Sequence, residues 1–146
     1  MQRFDDEQGK RRLLNIENMK VRDVKDYYSQ FPDLENDKRV EKMKKLKDKI
    51  KSKISYEWYL AIKTKEGKII GKIEVFFMKP DIAFVTIAIP NESKSRKYGE
   101  EAIDQFVKIC REKKYSSTVE LDRDNPIIER YIHSHDNIKD YKIEVA

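Results

Sequence analysis

The sequence predicts an α/β fold of the α+β kind: a mixed, mostly antiparallel central sheet with helices on both faces. Three observations predict it. Apolar residues recur every three or four positions as far as Ile54, then give way after Ser55 to β-branched and aromatic runs. Ile82 to Ile89 carries no charge, as expected of a strand buried on both faces in the middle of a sheet. Helical spacing then returns twice, between Ala102 and Cys110 and after Asn125-Pro126, so helices and strands interleave in the order β-α-α-β-β-β-α-β-α-β.

The elements follow in turn. The first ten residues are polar and expected to fray, and Arg12 to Ile16 fits a short strand. Asn18 precedes Val21, Val24, Tyr27, Tyr28 and Phe31 at helical spacing, with Pro32 as the stop, so a helix is expected over residues 19 to 30. Val40, Met43, Leu46, Ile50 and Ile54 form the apolar stripe of a second, lysine-rich helix. Tyr56 to Ile62 and Lys68 to Phe77 flank Lys65-Glu66-Gly67 as a hairpin, and Ile82 to Ile89 adds a third strand closed by Pro90. Residues 91 to 97 read as a polar loop before a helix that begins at Glu100. Ser116 to Leu121 is a further strand, Asn125-Pro126 starts a short helix to residue 134, and Tyr141 to Val145 is the final strand.

Length and composition restrict the partners. A chain of 146 residues suits one domain, 1–146. Charged residues reach 40%, but eight Tyr, six Phe and one Trp argue against disorder. The net +5 is uneven: residues 38 to 53 hold nine bases and two acids, a net +7, which leaves −2 elsewhere. No aromatic residue interleaves those lysines, so a solvated helix face is favoured over a nucleic-acid platform. The single cysteine, Cys110, suits a reducing cytosol and excludes an internal disulfide. The acidic start and the lack of a long apolar run favour a cytoplasmic location without membrane attachment.

The chemistry concentrates after the uncharged strand. Lys94, Arg96 and Lys97 place three positive charges beside an expected helix N-terminus. Unpaired N–H groups and the positive end of the helix dipole would suit a phosphate or pyrophosphate there. An ordinary solvated basic turn has the same composition.

Lys94-Ser95-Arg96-Lys97-Tyr98-Gly99-Glu100-Glu101-Ala102-Ile103 resembles the acetyl-CoA-binding motif of the GNAT superfamily of N-acetyltransferases. That motif is Arg or Gln, two residues, Gly, one residue, Gly or Ala, often followed by Thr-Glu-Ala-Leu. Lys94 stands at the Arg or Gln position, Lys97 at the first glycine and Gly99 at the second small residue. A shifted alignment makes Arg96 to Gly99 the Arg-x-x-Gly but loses Glu101-Ala102-Ile103. The element order resembles the family across about residues 12 to 133. Lys68 to Ile73 is similar to a hairpin of the ribosomal-protein acetyltransferase branch, and Asn125-Pro126 to the family's Asn-Pro-x-Ser.

The resemblance implies an acetyl-CoA-dependent N-acetyltransferase that transfers the acetyl group directly to a primary amine of a small molecule, peptide or protein, without a metal. It implies backbone groups at Ile87 and Ile89 for the pantetheine arm, and N–H groups of Ser95, Arg96, Lys97, Tyr98, Gly99 and Glu100 for the pyrophosphate, with Lys94 in the same cofactor set and the Lys97 ammonium as a point-charge phosphate ligand. Asn125 joins this cofactor set. Glu120 is the first candidate for general base and Glu74 the second, because a protonated amine must lose its proton before it attacks. Tyr131 is the candidate general acid, one residue short of the family position, which Ile132 occupies. Ile128 replaces the motif serine, His135-Asp136-Asn137 replaces the usual Gly-Phe, and the short C-terminus implies an acceptor wall that is either reduced or supplied by a partner chain, as in a homodimer. These departures keep a second reading open, a GNAT-fold protein that binds CoA or a protein partner without turnover.

Overall fold

The structure, a computed structural model, describes residues 13–53 and 56–145. The expected frayed start, Arg12 and Ile54 lie outside them. Six strands form one sheet in the order β1-β2-β3-β4-β5-β6: β1 (Leu14–Asn18), β2 (Glu57–Thr64), β3 (Ile69–Lys79), β4 (Ile82–Ala88), β5 (Thr118–Leu121) and β6 (Lys142–Glu144). Every neighbouring pair is antiparallel except β4 and β5. Four helices complete the order that the sequence predicts: α1 (Val21–Tyr28), α2 (Asn36–Ser52), α3 (Glu92–Lys113) and α4 (Pro126–His133).

Each sheet face has its own core. Leu60, Ile73, Val85, Ile87, Val119 and Leu121 alternate onto one face and pack with Ala102, Ile103 and Phe106 of α3 and Ile128 of α4. On the other face Tyr59, Ala61 and Ala88 meet Val24, Tyr27 and Leu46 from α1 and α2. The second cluster covers the β2–β3 side, so among the described residues no helix lies over the same face of β4 and β5.

Three sequence expectations change. β4 is buried on one face only: Ala83, Val85 and Ile87 are buried, while Phe84 and Thr86 are half-exposed. Uncharged residues here stand on a half-exposed sheet face rather than in a second core. Val40 leaves the inner stripe of α2 at 65% exposure, because that stripe rests on Met43, Leu46 and Ile50. The first helix runs over Val21–Tyr28 rather than residues 19 to 30, and Lys20 N donates to Asp23 Oδ2 (2.9 Å) at its start.

Two glycines are explained by packing. A Cβ at Gly71 would lie 2.5 Å from the Ala88 carbonyl oxygen and 2.8 Å from Ile89 Cγ1. Gly71 also sits beside the register shift at Ile62/Lys63. A Cβ at Gly99 would lie 2.8 Å from Ile127 Cγ2, so this glycine lets α3 and α4 approach. Glu101 of the motif anchors β1 to α3 by accepting from Leu14 N (2.8 Å).

Candidate active site

The candidate site begins where the parallel strands part. β4 and β5 pair from Ile82↔Thr118 to Val85↔Leu121, and Asp122 N closes the ladder on the Val85 carbonyl (3.0 Å). Beyond that point β4 continues toward Ala88 while the chain after β5 turns away. Strand alternation points the backbone groups of Ile87 and Ile89 toward the opening, as those of Val85 point to β5. Asn125 reaches across it: Nδ2 donates to the Ile87 carbonyl (2.6 Å) and to Thr86 Oγ1 (3.1 Å). Its Oδ1 meanwhile caps α4 by accepting from Ile127 N (3.0 Å) and Ile128 N (3.3 Å).

The end of this opening is built differently from the expectation. Helix α3 starts at Glu92, eight residues before Glu100, so the expected loop through Lys97 is its first turns. Asn91 supplies the cap that the sequence reading overlooked: its Oδ1 accepts from Lys94 N (3.2 Å) and Ser93 Oγ (2.7 Å). Ser95 N donates to the Asn91 carbonyl (2.9 Å), and the following N–H groups lie in the helical ladder. The N–H groups of Ser95 to Glu100 therefore do not form an anion cradle. Those of Glu92 and Ser93, in the first turn, take that position by the rule that a helix leaves its first donors unpaired. Arg96 pairs with Glu92 (2.9 Å), while the ammonium groups of Lys94 and Lys97 lie 5.9 and 5.1 Å from the centre of the Tyr98 ring. Arg130 Nη2 donates to the buried Ser95 Oγ (2.5 Å) and ties α4 to this end of α3.

Both glutamates lie on the sheet face opposite α3 and α4, Glu120 on the part of it that no described helix covers and Glu74 beside Tyr28 of α1. Glu120 lies between the buried Val119 and Leu121, and Glu74 between the buried Ile73 and Val75, so each carboxylate faces away from α3 and α4. Glu74 is ion-paired with Lys72 and lies opposite Thr86, while Glu120 lies opposite Phe84. Burial and then Glu74 hold the Tyr28 phenol above its ordinary range. A third carboxylate, missed in the sequence reading, joins them at the opening: Asp122 Oδ2 accepts from Thr86 Oγ1 (2.9 Å). Its sequence signal was the turn composition of Asp122-Arg123-Asp124-Asn125, confirmed by Asp124 N donating to Asp122 Oδ1 (3.0 Å).

Tyr131 lies in the seam between α3 and α4. Its hydroxyl donates to Asp104 Oδ1 (2.6 Å), and its ring stacks on His135 at 4.0 Å. Burial first, then Asp104, push its pKa above the ordinary phenol value. His135 Nε2 stands 3.7 Å from Glu100 and 3.8 Å from Asp104, and His133 3.3 Å from Glu129. Cys110 is buried, and its thiol is pushed up to about 11 by burial, which leaves it protonated near neutrality.

Solved structures of similar shape carry the same arrangement of helices and strands, that of the GNAT-type acetyltransferases. A chimera of the Vibrio cholerae spermidine N-acetyltransferase SpeG and hSSAT superposes with a TM-score of 0.66 at 14% identity, covering 84% of this chain and 78% of that one. A dodecameric V. cholerae spermidine N-acetyltransferase gives 0.63 at 12% identity over 84% and 77%. A V. cholerae protein proposed to be a ribosomal-protein-serine acetyltransferase gives 0.61 at 12% over 84% and 78%. No protein-family model matches the chain, and no curated protein sequence matches it. The likeness is thus one of fold, and the chain has the GNAT acetyltransferase fold. Among the described residues no helix is long and apolar enough to cross a membrane.

Proposed function

We propose that this chain is one domain that works as an acetyl-CoA-dependent N-acetyltransferase acting directly on a primary amine. The observation that carries this reading is the parting of β4 from β5 beyond Val85 and Leu121, next to a sheet face that holds Glu74, Glu120 and Asp122. The donor set suits a long ligand with amides along its arm and phosphates at its end. The backbone of Ile87 and Ile89 would hold the arm once Asn125 releases the Ile87 carbonyl. The first turn of α3, with Lys94, Arg96 and Lys97, would hold the phosphates.

Acetyl-CoA, when bound, supplies an activated acyl thioester. The residues of the chain bind, orient and move protons. An N–H of β4 in the opening would donate to the carbonyl oxygen where charge develops. Glu120 would take a proton from the incoming ammonium, directly or through water, and Glu74 is the second candidate. Tyr131 remains the proposed proton source for the departing thiolate, and its hydroxyl would have to exchange Asp104 for that partner. Three carboxylates favour a cationic acceptor, an amine or polyamine, over the acidic substrates that the lysine-rich α2 would attract. The two kinds of neighbour, spermidine and ribosomal-protein acetyltransferases, are compatible with a small or a macromolecular amine. Cytoplasmic location and a homodimer belong to the same proposal.

One observation favours the second reading, binding without turnover: α3 begins eight residues early, and Asn91 and Asn125 occupy groups that the ligand needs. Thiol release from acetyl-CoA with a panel of di- and polyamines separates the two. Acceptor-dependent release supports the enzyme; binding with no release across the panel supports the binder.

A further inference from the structure

A cavity of about 880 Å³ opens at the edge of β2, beyond the end of β1. β1 ends opposite Leu60, and Met19 N donates to the Tyr59 carbonyl (2.9 Å), so the first residues of β2 run on past the edge of β1. Through β3, Glu57, Trp58 and Tyr59 are level with Phe84, Val85 and Thr86 of β4, two strands away from the parting of β4 and β5. Its described lining shares no residue with the candidate active site, although Tyr59 lies opposite Glu74.

Its walls and mouth differ in character. Trp58 and Tyr115 meet edge to face at 4.8 Å, and Phe77, Tyr59 and Ile50 continue the apolar lining. Four lysines reach the same cavity: Lys20 from the cap of α1, and Lys49, Lys51 and Lys53 from the end of α2. Lysines at a helix C-terminus are favoured by the helix dipole. That does not account for Lys20, which arrives from the N-terminal end of another helix. Among the described residues Glu57 is the one acid in this lining, and its Oε2 already accepts from the Tyr59 hydroxyl (2.8 Å). The described lining thus carries a net charge of +3 over an aromatic floor. Volumes of about 300 to 1,000 Å³ with mostly apolar walls and a few placed charges are those of small-molecule sites.

We propose that this cavity binds an amphiphilic carboxylate, its apolar body against Trp58, Phe77 and Tyr115 and its anionic head among the lysines. The charge complement selects the anion, and the aromatic floor selects an apolar body over a free inorganic ion. The site does not rest on the acetyltransferase reading.

The chain has a single tryptophan, and it lines the cavity, so Trp58 emission reports on this site. Decanoate is titrated against decan-1-ol and decyltrimethylammonium, with the melting temperature followed in parallel. The expected result is a saturable change of emission with decanoate, weakened by salt, together with a raised melting temperature. Replacing Lys49→Gln, Lys51→Gln and Lys53→Asn together should weaken decanoate binding about tenfold while leaving the far-UV spectrum unchanged. An equal response to the alcohol or the cation would overturn the proposal. So would no response, a lowered melting temperature, undiminished binding by the triple variant, or a response confined to an acidic peptide such as oligoglutamate.

Discussion

Gly71 shows how a single residue can carry a fold-level requirement. Its missing Cβ makes room for the Ala88 carbonyl and the Ile89 side chain at the end of β4, next to the opening. Gly71→Ala should therefore cost about 1–3 kcal/mol by overpacking, read as a lower urea midpoint at unchanged m-value. A cost near zero would mean that β3 and β4 are further apart than described. The carboxylates act at the same scale. Glu120→Gln should lower kcat/KM by about 10²–10⁴-fold with the melting temperature almost unchanged, and Glu74→Gln should do less, since Glu74 already serves Lys72. The reverse order would move the proposed base to Glu74. Cys110, buried and protonated, should react with a disulfide reagent only on the unfolding timescale, and rapid labelling of native protein would contradict its placement.

Among the elements, α4 shows most clearly how local sequence positions the site. Asn125 caps the helix through Oδ1 and holds the Ile87 carbonyl through Nδ2, so one side chain fixes both the helix and the edge of the opening. Asn125→Ala should cost about 1–2 kcal/mol in denaturant unfolding; Asn125→Asp should keep the cap and lose the bond to Ile87. Strands and this cap were legible in the sequence because alternation and Asn-Pro are local signals. The start of α3 was not. Asn91-Glu92-Ser93 is a cap followed by helix-compatible residues, but Lys94 to Gly99 carries no apolar periodicity of its own, and its buried members are Ser95 and Gly99. Their burial depends on Arg130 and Ile127, which arrive from α4 more than twenty residues later. The half-exposed face of β4 was hidden for a related reason: an uncharged run looks the same whether its second face meets a helix or stays half-exposed.

For the whole molecule, the net charge of +5 divides by location into distinct surfaces. The lysines of α2 lie outside the second core, those at its end reach the aromatic cavity, and the basic side chains of α3 stand at the end of the opening. The acids Glu74, Glu120 and Asp122 gather on the face between them. Two small cores on one sheet support this division, because α1 and α2 stop short of β5 and leave a face for an acceptor. Whether the altered start of α3 still holds the phosphates of acetyl-CoA decides the central claim. The most direct measurement is the melting temperature with and without acetyl-CoA. Ligand at about 100 times its dissociation constant should raise it by roughly 5–10 °C, and the charge-neutralised variant Lys94→Gln/Arg96→Gln/Lys97→Gln should lose most of that rise. No shift at millimolar acetyl-CoA would contradict the account.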